Sequence, residues 1–120
     1  MILADSSIWF DHLNKSDPIF FSLLQEGQVF VHPFVIGEIA LGNLKNRAKQ
    51  LAYMKLLPFA DAATDDEVLT MIQRHALFGS GIGYVDAHLL ASARISSATL
   101  WTRDRRLHQA AAKIGVAQLH

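Results

Sequence analysis

Met1-Ile-Leu-Ala-Asp5-Ser-Ser-Ile-Trp-Phe10-Asp-His-Leu13 opens the chain, and its reading decides the fold. Met1–Ala4 is a short apolar run stopped by Asp5, the signature of a buried strand. Asp5, Ser6 and Ser7 all cap helices well, and IWFDHL follows directly. The unit is therefore a short buried strand, an acid at its carboxyl end, then a helix. Further along, Asp17 caps a helix over Pro18–Gln25, with proline at the first helical position and Gly27 ending it. Val29–Val31 reads as a second strand, and Pro33 starts a helix to about Leu44. Arg47–Leu56 reads as a helix and Leu57–Ala60 as a weak strand. Asp65–Phe78 reads as a helix, with Thr64 and Glu67 in capping-box spacing. Gly79–Gly83 is a loop, and Tyr84–Ile95 is a helix apolar nearly all round. Thr99–Trp101 is a strand, Asp104–Ile114 a helix, and Gly115–Ala117 a final short strand.

Strands and helices alternate, and the strands are continuously apolar. That pattern predicts an α/β fold: a short parallel sheet flanked by helices on both faces. No repeat, low-complexity stretch or linker divides the chain, so residues 1–120 are expected to form one domain. With 51% apolar and 18% charged residues, disorder is excluded. The apolar share is high for a small free-standing domain and points to a buried partner surface. With no cysteine, thiolate metal sites and cysteine nucleophiles are ruled out, and a reducing cytoplasm is the expected location. The longest uncharged run, Gly27–Gly37, is too short to cross a bilayer, so no membrane is expected. Asp5 spoils a secretory signal.

Net charge is zero, so no strongly basic nucleic-acid footprint covers the whole chain. The front third is acidic and the last third basic. Four of the carboxylates stand apart from the caps and surface acids. Asp5 ends the first strand, and Glu38 lies within FVIGEIAL. Asp86 lies within GYVDAHLLA, and Asp104 follows LWT. Asp5 and Asp104 serve equally well as helix caps, and Asp86 suits a first helical turn, where the helix dipole favours an acid by ~0.3–1 kcal/mol. An acid inside an apolar helix face is, however, an expensive choice. Ligands of parallel sheets bind beyond the carboxyl ends of the strands, where Asp5 and Asp104 lie. Were the four acids to converge, pairs about 4 Å apart would repel by roughly 4 kcal/mol at an effective dielectric near 20. Protons or a cation would have to neutralise them. An all-oxygen donor set selects magnesium or manganese, ions that assist phosphodiester hydrolysis.

MILADSSIWFDHL, HPFVIGEIALG, GIGYVDAHLLASA and LWTRDRRL together resemble the PIN-domain ribonucleases, most closely the VapC-type toxins of toxin–antitoxin pairs. The four motifs stand in family order and span nearly the whole chain. The resemblance implies a magnesium- or manganese-dependent endoribonuclease, a homodimer, and a cognate antitoxin whose tail covers the active site. It makes Asp5, Glu38, Asp86 and Asp104 the metal-binding acids; in a site so built, Asp5 and Asp86 are expected to ligate directly, and Glu38 and Asp104 to act through metal-bound water or to complete a second ion's shell. Ser7 and Thr102 match the family's hydroxyl positions, expected to hold a water or a phosphate oxygen. Ser6 stands where threonine is commoner.

Arg103, Arg105 and Arg106 surround Asp104 at a helix start, where cations oppose the dipole. They await either RNA phosphates or the acids of the front half. Lys45, Arg47 and Lys49 read as a solvated face. No histidine has metal-pair spacing. His108 shares a helix face with Asp104 and is a candidate supporting residue; His32, His75, His88 and His120 read as structural or surface. Trp9, Phe10, Leu13, Phe20 and Phe21 form either ordinary core or a groove for a partner. Two rival functions keep the fold: a non-catalytic protein-binding module whose acids are only caps, and a PIN-type DNA nuclease. A phospho-receiver domain fails, because neither the aspartate nor the lysine it needs follows the appropriate strand.

Overall fold

The computed structural model describes residues 1–119, so His120 lies outside the described residues. In chain order the elements are β1 (Ile2–Ala4), α1 (Ser6–Asn14), α2 (Pro18–Gln25), β2 (Val29–Phe30) and α3 (Pro33–Ala40). There follow α4 (Arg47–Lys55), α5 (Asp65–Arg74), α6 (Tyr84–Ile95), β3 (Thr99–Trp101) and α7 (Arg105–Lys113). The sheet is wholly parallel in the order β2-β1-β3. Ile2 pairs with Val29 and Thr99, and Leu3 with Phe30 and Leu100. Successive strand residues point to opposite faces. All three residues of β1 are buried, so helices cover both faces, as the apolar strand pattern requires.

Caps start the helices where the sequence places them. Asp5, Asp17 and Asp104 each accept backbone N–H groups of the following turn. Thr64 and Glu67 form both halves of the capping box. Helix ends differ more. α3 stops at Ala40 rather than near Leu44. There the chain turns hard against α1: a Cβ on Gly42 would lie 2.7 Å from the Phe10 ring. α5 stops at Arg74 rather than Phe78. Ala76 takes the left-handed conformation (φ +51°), the Leu77 N–H returns to the Ile72 carbonyl and the Ala76 N–H to Gln73. That is a Schellman closure with alanine in glycine's usual place. The two weak strands shrink to single bridges, Val31 with Phe59 and Leu100 with Ala117.

Trp9 and Phe20 are fully buried, edge to face at 4.9 Å between ring centres, and Trp101 lies 5.9 Å beyond Phe20. The ordinary-core reading of this aromatic group therefore holds for Trp9 and Phe20, whereas Phe21 is exposed. α6 buries every residue from Ala87 to Ala93 and packs on β1 and β3, while α3 packs chiefly against α1 and α4.

Candidate active site

Parallel pairing of β1 with β3 puts their carboxyl ends side by side, which brings Asp5 to the segment carrying Thr102 and Asp104. Asp5 is buried and almost fully engaged. Its Oδ1 accepts the backbone N–H groups of Ser7 (3.0 Å) and Ile8 (3.3 Å) and the Ser7 hydroxyl. Its Oδ2 accepts the Thr102 hydroxyl. The two hydroxyl oxygens in turn accept from the neighbouring loop: Ser7 Oγ from the Arg103 N–H (2.9 Å) and Thr102 Oγ1 from the Asp104 N–H (3.0 Å). Each hydroxyl has one proton, and both are spent on Asp5. Ser7 and Thr102 clamp the acid and tie the two strand ends together.

Two of the other acids, Glu38 and Asp86, feel Asp5 through its charge. Glu38, on the solvent side of α3, has its pKa raised, first by partial desolvation, then by repulsion from Asp86 and Asp5, with the Ser6 hydroxyl acting the other way. Asp86, half-buried in the first turn of α6, is also raised, by desolvation, then by Asp5 and Asp104; the Gly83 N–H opposes this. Asp104 caps α7 through its Oδ1 on the Leu107 N–H at 3.0 Å. So four acids from distant parts of the chain are coupled around Asp5 and Asp86. They do not form a finished metal cage: among the described residues, no group of three His, Cys, Asp or Glu side chains is arranged to hold an ion. The donor chemistry still fits a hard divalent cation. The coupled donors are all oxygen, and two of the four carboxylates resist ionisation, first through partial burial and then through their charged neighbours.

Around this centre, Arg103 is taken by the acidic front half. Its Nε lies 3.1 Å from Asp11 Oδ2, one terminal nitrogen 3.3 Å from Asp17 Oδ2, and its guanidinium 5.2 Å from the Trp101 ring centre. Arg105 and Arg106 are exposed and make no ion pair among the described residues. His12, His32, His75 and His88 make local hydrogen bonds. His32 Nδ1 accepts the Phe34 N–H (3.0 Å) to cap α3, and burial with the nearby His88 lowers its pKa to about 4. His88 pairs with Asp65, and His75 with Arg94. The Ser6 hydroxyl acts on Glu38, a partnership that the packing of α1 on α3 creates and the sequence does not show.

The PIN domain family model matches residues 2–113. Over 118 residues, 98% of this chain and 95% of the relative, the sequence is 45% identical to Ribonuclease VapC32 of Mycobacterium tuberculosis, in strain CDC 1551 / Oshkosh and in strain ATCC 25618 / H37Rv. The crystal structure of PAE2754 from Pyrobaculum aerophilum superposes with a TM-score of 0.63 over 97% of this chain and 81% of that one; at 19% identity the likeness is one of fold. The chain belongs to the PIN-domain family, on its VapC-type ribonuclease branch.

Proposed function

We propose that this protein is a magnesium- or manganese-dependent endoribonuclease and the toxin of a toxin–antitoxin pair. It acts in the cytoplasm as a homodimer and is held in check by a cognate antitoxin. The observation that carries the reading is the electrostatic coupling of Asp5, Glu38, Asp86 and Asp104 at the carboxyl ends of β1 and β3. Relatedness to a protein named a ribonuclease supports RNA as substrate. Among the described residues, no helix is long and apolar enough to cross a membrane.

Asp5 and Asp86 would hold the cation directly, with Glu38 and Asp104 completing its surroundings. Bound there, the ion would acidify a water and offset charge on the phosphate. Ser7 and Thr102 keep Asp5 aimed, because each donates a hydrogen bond to that carboxylate. Partial desolvation first, and then the neighbouring carboxylates, raise the pKa of Asp86 and of Glu38, which makes both take up a proton more readily than ordinary carboxylates do. Hydrolysis joins a water oxygen to phosphorus and breaks one phosphorus–ribose oxygen bond, and the departing ribose oxygen gains a proton.

Purified protein incubated with total RNA, with magnesium, with manganese and with chelator, tests the reading. Cleavage is expected only with metal. The Asp86→Asn variant is expected to fold with an unchanged circular dichroism spectrum and to lose cleavage. Metal-dependent cutting that survives in this variant, or cutting in chelator, overturns the assignment.

A further inference from the structure

The three arginines after β3 have different fates. Arg103 is committed to Asp11 and Asp17. Arg106 has no hydrogen bond or ion pair of its side chain among the described residues, yet its place is defined. A Cβ built on Gly81 would lie 3.0 Å from Arg106 Nη1, 3.1 Å from its Cδ and 3.3 Å from its Cζ. The side chain of Arg106 thus lies on the backbone of loop 79–83 at a point where no side chain intervenes. That loop runs into α6, which carries Asp86 in its first turn, and Arg106 itself lies two residues past Asp104. The seat is therefore built between the two segments whose acids repel each other.

A group of four carboxylates repels the phosphates of any RNA that approaches it. An unpaired guanidinium in the first turn of α7 also stands against the helix dipole. Both costs fall if the guanidinium meets a phosphate. Arginine suits the position, since its planar fork binds phosphate oxygens two at a time.

We propose that Gly81 is the seat of Arg106, and that the seated guanidinium takes one backbone phosphate of the RNA at the rim of the acid site. The inference rests on the ribonuclease reading and assigns it a substrate-positioning pair. Two readouts test it: binding of a short fluorescein-labelled random-sequence RNA in chelator, followed by anisotropy at several salt concentrations, and KM and kcat for cleavage in magnesium. Arg106→Ala should weaken binding and raise KM about ten-fold with kcat little changed, and should flatten the log Kd against log salt slope by about 0.7. Gly81→Ala should reproduce part of that loss, and should add nothing once Arg106 is alanine. Gly79→Ala is the control: Gly79 also has positive φ (+74° against +82° at Gly81), so the backbone cost is alike, but nothing lies within 4 Å of its Cβ position. Arg106 is exposed, so its variant carries the test even if Gly81→Ala folds poorly. Wild-type protein that cuts RNA, while Arg106→Ala binds with wild-type affinity and slope, overturns this inference alone. Equal behaviour of the Gly81 and Gly79 variants removes the seat. Wild-type protein that neither binds nor cuts RNA fails the ribonuclease reading itself, and this inference with it.

Discussion

Thr102→Val isolates the clamp on Asp5. Valine keeps the shape of threonine and removes only the hydroxyl. Two hydrogen bonds are lost: the donation to Asp5 Oδ2 and the acceptance from the Asp104 N–H. Both Thr102 and Asp5 are buried, at 7% and 6% exposure, so water does not replace them cheaply. A bond to a charged group contributes about 1.5–3 kcal/mol and a neutral one about 0.5–1.5 kcal/mol, so the variant should lose roughly 2–4 kcal/mol. For a chain of this length that is a fall in Tm of roughly 8–16 °C. Thr102→Ser keeps the hydroxyl and loses one methyl group, at about 1 kcal/mol. Thermal melts followed by circular dichroism, with RNA cleavage measured on the same samples, separate the two. The serine variant should cut RNA and the valine variant should cut far more slowly, since Asp5 Oδ2 then loses its hydrogen bond while Oδ1 stays held by Ser7 and Ile8. A valine variant that melts within about 2 °C of wild type, or no lower than the serine variant, refutes the clamp.

The charge cluster makes two further predictions. Folding raises the pKa of Asp86 above its ordinary 3.8, so the folded state binds the proton more tightly than the unfolded chain. Its contribution to stability is full below that value and is lost as pH rises through the folded pKa. Asp86→Asn should therefore melt above wild type at neutral pH, with the gap closing on acidification; a constant gap contradicts the repulsion. Magnesium at a hundred times its Kd should add about 2.7 kcal/mol to wild type and nothing to the variant, reversing the order. His32 carries the opposite sign. Its pKa falls on folding from 6.5 to about 4, so it stabilises the fold above 6.5 and the stabilisation is lost as pH drops toward 4. The loss amounts to about 3 kcal/mol, measurable by urea denaturation across that range. His32→Asn keeps an acceptor for the Phe34 N–H and should flatten the profile; parallel curves for the two proteins would contradict the assignment.

Helix starts were legible because their signals are local. Asp17 with Pro18, and Thr64 with Glu67, act within three or four residues, and each cap forms where it is written. Helix ends were legible where glycine marks them, and at Ile95, where α6 ends as read. Gly27 and Gly115 take the left-handed position after α2 and α7, but Ala76 does the same after α5 with no sign in the sequence. The strands over Leu57–Ala60 and Gly115–Ala117 were overread: one ladder partner each yields a bridge, not a strand. The four acids stood out as costly residues in apolar or strand-end surroundings. What Ser7 and Thr102 do there, and where Arg103 spends its charge, did not.

The amino-acid sequence by itself determined the alternation of short buried strands with capped helices, the parallel sheet, and which acids were out of place, since hydrophobic period and capping chemistry act over a few residues. Only the tertiary structure decided that the hydroxyl of Thr102 belongs to Asp5, 97 residues away, that Arg103 answers Asp11 and Asp17, and that Arg106 rests on Gly81. The reason is physical: hydrogen bonds, ion pairs and close packing are won or lost over a few ångströms, and those distances exist only after the strand ends have been laid side by side.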